Sequence, residues 1–133
     1  MSRQLVVVVD ARNVIRSRWP NFDEERFLDL ARTWADEEGA RLVAVFDGRA
    51  PGAGVGSHEL DDRTTIVGTG GESADDWITE HAAEMARDGT ALWLVTSDRE
   101  LRERVGGHVE RVIGGGSFAS ALETIDSEGT SAS

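Results

Sequence analysis

Three aspartates stand where apolar runs of the sequence end, and their side chains are of a type that binds metal ions. Asp10 follows QLVVVV, Asp47 follows RLVAVF, and Asp98 follows ALWLVT with one serine between them. Short, continuous apolar runs are typical of strands that are buried on both faces of a sheet. If the strands are parallel, their carboxyl ends lie at one edge, where open α/β folds bind ligands. We therefore expect the three carboxylates to meet at that edge.

A fourth group of acids, Glu72, Asp75 and Asp76, stands at the start of a predicted helix over residues 74–87. This helix follows the third predicted strand, so its start lies at the same edge. Like charges that converge raise one another's pKa unless a cation neutralises them. Oxygen ligands without a nearby His or Cys suit Mg²⁺ or Mn²⁺. Because such ions activate water and bind the oxygens of a phosphodiester, hydrolysis of that bond is a chemistry these acids could support.

The same residues also have structural interpretations, which the sequence leaves open. Two Ser-x-x-acid spacings, at residues 73–76 and 97–100, fit helix capping boxes. Acids in the first turn of a helix are favoured by the helix dipole. Asp47 could mark a simple turn after its strand, and Asn13 could cap a short helix. The convergence of all the acids at one edge is what favours a functional site.

The rest of the sequence predicts the elements that would carry these acids. Alternating strands and helices imply a parallel sheet that is covered by helices on both faces. Strands are predicted over residues 4–9, 41–46, 64–67, 91–96 and 108–113, and helices over residues 23–38, 74–87, 99–105 and 117–123. The glycine-rich stretch 48–62 predicts a long loop. We therefore expect a three-layer α/β/α sandwich around a mostly parallel sheet of about five strands, with one domain over 1–126 and a flexible polar tail over 127–133.

Charge and composition limit the classes of function. Fourteen basic residues, all arginine, stand against 25 acidic residues, which gives a net charge of −11. This charge repels nucleic acid at long range, but acids that surround divalent cations create a local positive potential. The absence of lysine argues against aspartyl-phosphate phosphatases, response-regulator receivers and P-loop enzymes in their usual form. Without cysteine, a signal peptide or an apolar span, we expect a cytoplasmic protein with no membrane partner.

Four blocks of the sequence, taken in order, resemble the signature blocks of a known family. They are VVVVDARNVI, VAVFDGR, TIVGTGGESADDWI and LWLVTSDREL. Together they are similar to NYN domains of the YacP-like branch, which are relatives of the PIN-domain nucleases. The resemblance covers about residues 4–124. It implies a PIN-like fold and a metal-dependent ribonuclease, with a ribosome-associated endoribonuclease as one member of this branch.

The resemblance also implies roles for the residues at matching positions. Metal ligation falls to Asp10, to Asp75 or Asp76, and to Asp98, with Mg²⁺ or Mn²⁺ as the implied cofactor. Supporting roles fall to Asp47 and Glu72 beside the metal, and to Asn13 and Ser97 beside the water or the phosphate. Between Asp10 and Asn13 this chain has Ala11 and Arg12, where the family usually has a glycine and an aromatic residue.

The implied substrate is RNA, including ribosome-associated mRNA, without an expected preference for DNA. We expect Arg12, Arg49 and Arg63 to hold the phosphates that flank the cleaved bond. Trp19 is the one tryptophan considered for base stacking, although packing is the favoured interpretation. The alternative function is that of a binding module and not of an enzyme: a non-catalytic PIN-like module that binds RNA or the ribosome. Retention of four acidic groups favours the enzyme.

Overall fold

The structure is a computed structural model that describes residues 4–18 and 22–131; Trp19 lies outside these residues. Its elements follow one another as β1 (Leu5–Asp10), α1 (Ala11–Ser17), α2 (Glu24–Glu38), β2 (Arg41–Phe46), β3 (Gly56–Glu59), β4 (Thr64–Gly68), α3 (Ala74–Arg87), β5 (Ala91–Val95), α4 (Arg99–Val105), β6 (Arg111–Ile113) and α5 (Gly115–Ser131). No helix within the described residues combines the length and the apolar character needed to cross a membrane.

A six-stranded sheet forms the middle layer of the fold, with the strand order β3-β4-β2-β1-β5-β6. Neighbouring strands are parallel except for β3 and β4, which are antiparallel. The central strand β1 pairs with β2 on one side and with β5 on the other. Asp10 is aligned with Val45 of β2, and Val9 is aligned with Val95 of β5. The strands β1, β2 and β5 therefore end together at one edge of the sheet.

Helices cover both faces of the sheet because the central strands are apolar on both faces. In β1, Val7 and Val9 pack into a core shared with α1, α2 and α5. Val6 and Val8 pack on the other face, against α3 and α4. Since successive strand residues point to opposite faces, Asp10 points to the side of α3 and α4. The predicted three-layer α/β/α sandwich is confirmed.

The ends of α2 illustrate how local sequence sets the helix boundaries. The Asp23 carboxylate accepts a hydrogen bond from the backbone N–H of Arg26 at 2.8 Å and so caps the first turn. Gly39 ends the helix in the left-handed conformation, with φ of 67°, which glycine adopts without steric cost. Between these ends, Phe27, Ala31 and other apolar residues at helical spacing face the core.

The structure differs from the sequence prediction in three places. The stretch 48–62, predicted to be a loop, contains the strand β3, so the sheet has six strands where about five were expected. The residues after Asp10 form the helix α1, which the sequence indicated only as a possible short helix at Asn13. The last helix runs to Ser131 and includes residues 127–131 of the segment predicted to be a polar tail.

The strand β3 escaped prediction for a physical reason. Its sequence, GSHE, has no alternation of apolar and polar residues, and most of its residues are exposed. The strand forms because its backbone pairs with β4, which no local pattern encodes. The turn that joins the two strands closes with a 2.8 Å hydrogen bond from the Leu60 N–H to the Thr64 carbonyl.

Candidate active site

Four of the predicted acids meet at the carboxyl edge of the sheet. Asp10 is the last residue of β1, Asp47 follows β2, Asp75 lies in the first turn of α3, and Asp98 precedes α4. The charges of Asp75 and Asp47 act on Asp10, and the charges of Asp98 and Asp47 act on Asp75. We call these four side chains the carboxylate cluster. The expected convergence of acids from separate strand ends is therefore present in the structure.

Asp10 is the buried member of the carboxylate cluster, with an exposed fraction of 7%. Burial, followed by the charges of Asp75 and Asp47, raises its pKa from 3.8 to about 6. Two hydrogen bonds favour the ionised form, one from the backbone N–H of Asn13 and one from the Thr96 hydroxyl at 3.3 Å. These two donors do not offset the burial and the two neighbouring charges, so the ionised form of Asp10 is disfavoured.

Asp75 and Asp98 are close enough for their carboxyl groups to share a hydrogen bond. Burial, the charge of Asp98, this hydrogen bond and the charge of Asp47 all raise the pKa of Asp75, while Arg104 lowers it. Two ionised carboxylates cannot hydrogen-bond to each other, because neither has a proton to donate. A proton or a bound cation would therefore relieve the repulsion between Asp75 and Asp98.

Two members of the carboxylate cluster also bind helix N-termini. Asp47 accepts a hydrogen bond through Oδ1 from the N–H of Ala74, the first residue of α3, at 2.8 Å. Asp98 accepts one through Oδ1 from the N–H of Leu101 in α4 at 3.2 Å. Asp98, and not Ser97, is thus the N-cap of α4, so the capping box at Ser97 is wrong. The structure combines capping and convergence in the same side chains.

The structure gives Asp75 and Asp76 different contacts, a distinction that the sequence could not make. Asp76 is exposed and pairs with Arg104 of α4, at 3.0 Å between Oδ1 and Nη2, and its charge is not among the causes of the pKa shifts at Asp10 and Asp75. Its backbone N–H donates to the Ser73 hydroxyl at 3.1 Å, which confirms Ser73 as the cap of α3. The Glu72 side chain is exposed, and its charge is not among the causes of the pKa shifts at Asp10 and Asp75.

Asn13 and Ser97 join three elements beside the carboxylate cluster. The backbone N–H of Ser97 donates to Asn13 Oδ1 at 2.9 Å, and the N–H of Gly115 donates to Ser97 Oγ at 2.8 Å. A side chain at Gly115 would overlap Asn13 Oδ1, so only glycine permits this approach of α5. Both polar side chains therefore hold α1, α5 and the turn before α4 together, at the edge where the sequence placed them.

The three arginines expected to hold phosphates occupy different places. Arg12 donates through Nη2 to the backbone carbonyl of Asp47 at 3.2 Å and so braces the turn after β2. Arg49 is exposed at the same edge, two residues beyond Asp47. Arg63 immediately precedes β4, and this places it at the opposite edge, about 16 Å away along a five-residue strand. Its guanidinium pairs there with Asp36 at 3.5 Å. Arg63 is not brought to the carboxylate cluster.

The loop that carries Arg49 is folded onto the sheet. The N–H of Ala50 donates to the Gly54 carbonyl at 2.8 Å, and the N–H of Gly70 donates to the Gly48 carbonyl at 2.9 Å. Any side chain at Gly68, the last residue of β4, would overlap the Gly54 carbonyl. Hydrogen bonds and close packing thus fix the position of this loop beside the carboxylate cluster.

Thr96 is a residue of the site that the sequence analysis missed. It is fully buried, and its hydroxyl donates to Asp10 Oδ2 while accepting the backbone N–H of Asp98 at 3.1 Å. The hydroxyl therefore links two members of the carboxylate cluster. The signal was present in the sequence, because Thr96 is the one polar residue that ends the apolar run ALWLVT.

The chain matches the family model of the YacP-like NYN domain over residues 7–132. It belongs to the YacP-like NYN domain family. The crystal structure of Rae1 (YacP) from Bacillus subtilis is similar, with 21% identity and a TM-score of 0.65, over 92% of this chain and 76% of that one. A mutant of the same Bacillus subtilis protein gives 22% identity and a TM-score of 0.66, over 92% and 77% of the two chains. No curated protein matches the chain.

The carboxylate cluster of this NYN domain fits a divalent cation by the chemistry of its donors. Its ligands are carboxylate oxygens without His or Cys, the set that suits Mg²⁺ and Mn²⁺. After burial, the negative charges of neighbouring acids are the next causes of the raised pKa values of Asp10 and Asp75, and a cation would neutralise those charges. Among the described residues, no group of three or more acids or histidines is arranged so that it could hold a metal ion as it stands.

Proposed function

We propose that this NYN domain is an endoribonuclease that depends on Mg²⁺ or Mn²⁺ and hydrolyses RNA at the carboxylate cluster. The observation that carries the proposal is the convergence of four carboxylates from separate elements, one of them buried with a pKa of about 6. A fold gains nothing from such repulsion unless a ligand offsets it. The sequence resemblance to PIN-like ribonucleases supplies the class of substrate.

In this proposal Asp10, Asp75 and Asp98 hold the cation, and Asp47 fixes the start of the helix that carries Asp75. A bound divalent cation would activate water and neutralise charge on the phosphate oxygens. Thr96 keeps Asp10 and the Asp98 backbone at a fixed separation through its two hydrogen bonds. The positions of the ligands are thereby set before RNA arrives.

The remaining site residues would act on the RNA. Asn13 Oδ1 already accepts the Ser97 N–H, so its amide NH₂ is the group left to donate to a phosphate oxygen. Arg49, exposed at the rim, would bind a flanking phosphate. Because the chain carries a net charge of −11, RNA binding should depend on the cation more than on a basic surface. Ribosome-associated mRNA in the cytoplasm is the proposed physiological substrate.

The test is cleavage of labelled single-stranded and structured RNA by the purified protein, with Mn²⁺, with Mg²⁺ or with a chelator. We expect internal cleavage with either cation, none with the chelator, and none from Asp10→Asn. Full activity of Asp10→Asn, or cleavage that ignores the chelator, would refute the proposal. Binding of RNA without cleavage under every condition would instead support the non-catalytic module.

A further inference from the structure

Arg104 is a cation beside the carboxylate cluster that the sequence analysis did not select. It lies near the end of α4 and reaches the first turn of α3, where Nη2 contacts Asp76 Oδ1 at 3.0 Å. Its charge also acts on Asp75, whose pKa it lowers against the larger effects of burial and of Asp98. A guanidinium therefore stands next to acids that would bind the metal ion.

The contact between Arg104 and Asp76 does not immobilise either side chain strongly. Their exposed fractions are 37% and 57%, and ion pairs between side chains this exposed are among the weakest in proteins. A guanidinium carries five N–H donors. Only Nη2 is engaged in the described part of the chain, so the remaining donors are open to a second anion. A phosphate could be added to this contact or could replace Asp76.

We propose that Arg104 binds a phosphate group of the RNA beside the carboxylate cluster, and that Asp76 holds the guanidinium there until RNA binds. The inference rests on the proposed ribonuclease function. This proposal explains the two adjacent aspartates in the first turn of α3. Asp75 joins the carboxylate cluster, and Asp76 orients the guanidinium of Arg104. The planar fork of arginine suits two phosphate oxygens, which a lysine at this position could not bind in the same way.

The experiment measures RNA cleavage with Mn²⁺ by the full chain and by variants, together with RNA affinity in the cleavage-deficient Asp10→Asn background. Arg104→Ala should raise the KM for RNA and weaken affinity about tenfold, the loss expected for a charge-assisted hydrogen bond. The slope of log affinity against log salt should decrease by about one phosphate contact. Arg104→Lys should recover only part of the affinity, because it restores the charge without the fork.

Arg87→Ala is the matched control. Arg87 is an exposed arginine at the other end of α3, about 20 Å from the first turn of a 14-residue helix. Its replacement removes the same charge from the protein at a distance from the cluster. Affinity and KM in Arg87→Ala should stay within about twofold of the wild type, which separates a local phosphate contact from the effect of net charge.

Asp76→Asn tests the second half of the proposal. It removes the competitor for the guanidinium and one negative charge, so RNA affinity should rise about two- to fivefold, the range set by an exposed ion pair. If Asp76→Asn instead abolishes cleavage as Asp10→Asn does, Asp76 is a metal ligand and the inference is wrong. Urea unfolding of each variant confirms that the folded protein is compared.

The outcomes separate this inference from the proposed function. If the wild type neither cleaves nor binds RNA, the proposed function fails and this inference fails with it. If the wild type cleaves RNA but Arg104→Ala matches Arg87→Ala in KM, affinity and salt slope, only the inference fails. A loss of stability in Arg104→Ala with unchanged RNA binding would likewise show that Arg104 merely neutralises the acids.

Discussion

Replacing Asp10 with asparagine is expected to stabilise the cation-free protein near neutral pH but not in acid. Burial, followed by the charges of Asp75 and Asp47, raises the pKa of Asp10 from 3.8 to about 6. Between these two pH values the folded chain holds a proton at Asp10 that the unfolded chain has released. The free energy of unfolding therefore falls as the pH rises through this interval, and it stays lowered at higher pH.

The expected magnitude follows from the two pKa values. They differ by about two pH units, and at about 1.4 kcal/mol per unit the loss amounts to about 3 kcal/mol. Asparagine has a similar volume, does not titrate, and keeps an oxygen that can accept from the Asn13 N–H and the Thr96 hydroxyl. Relative to the wild type, Asp10→Asn should therefore gain about 3 kcal/mol between about pH 4 and about pH 8. Any pH-independent effect of the substitution cancels in this difference.

The assay is urea unfolding of both proteins across that pH range in the presence of a chelator, with free energies from linear extrapolation. The matched control is Asp88→Asn, at an exposed aspartate that follows α3 at the opposite edge from Asp10. Its difference from the wild type should not reproduce the gain seen with Asp10→Asn. A stability difference for Asp10→Asn that stays constant with pH, or that decreases as pH rises, would refute the electrostatic reasoning.

Three further predictions concern cation binding, the Thr96 hydroxyl and the arginines expected to bind RNA. Mn²⁺ or Mg²⁺ should stabilise the wild type by about 2.7 kcal/mol when the cation concentration is a hundred times Kd. The same cation should stabilise Asp98→Asn less. Equal thermal shifts in the two proteins would exclude Asp98 as a ligand. Thr96→Val leaves the Asp98 N–H and Asp10 without their shared partner and should cost about 1–3 kcal/mol in urea unfolding. An unchanged cleavage rate in that variant would contradict the positioning role. Arg49→Ala should weaken RNA binding in a salt series, whereas Arg63→Ala, at the opposite edge, should not.

The layers of the fold could be predicted because they depend on local patterns. The continuous apolar runs of β1 and β5 indicate strands buried on both faces, and the helical spacing of Phe27 and Ala31 indicates the face that α2 buries. The convergence of the acids followed from the same patterns, because parallel strands end at a common edge. No distance between residues was needed for either inference.

The parts that escaped prediction depend on contacts between distant residues. The strand β3 exists only through pairing with β4. The position of Arg63 is different, because this residue directly precedes the strand predicted over residues 64–67, and the start of a parallel strand lies at the opposite edge from Arg49. The link between Thr96 and Asp10 spans 86 residues and depends on the alignment of β1 with β5. The alignment of two strands depends on the packing of the whole sheet, so no local sequence pattern predicts it.

The helix-capping role of Asp98, which the sequence had assigned to Ser97, is compatible with the proposed metal ligation by the same side chain. A carboxylate has two oxygens, and the structure assigns Oδ1 of Asp98 to the Leu101 N–H while the same carboxyl group contacts Asp75. The capping bond fixes the orientation of the side chain and so fixes where its charge lies. Asp47 repeats the arrangement through the Ala74 N–H. Asparagine at either position keeps an oxygen for the cap and loses the charge, so this substitution should remove the proposed electrostatic contribution to cation binding while leaving the helix start in place.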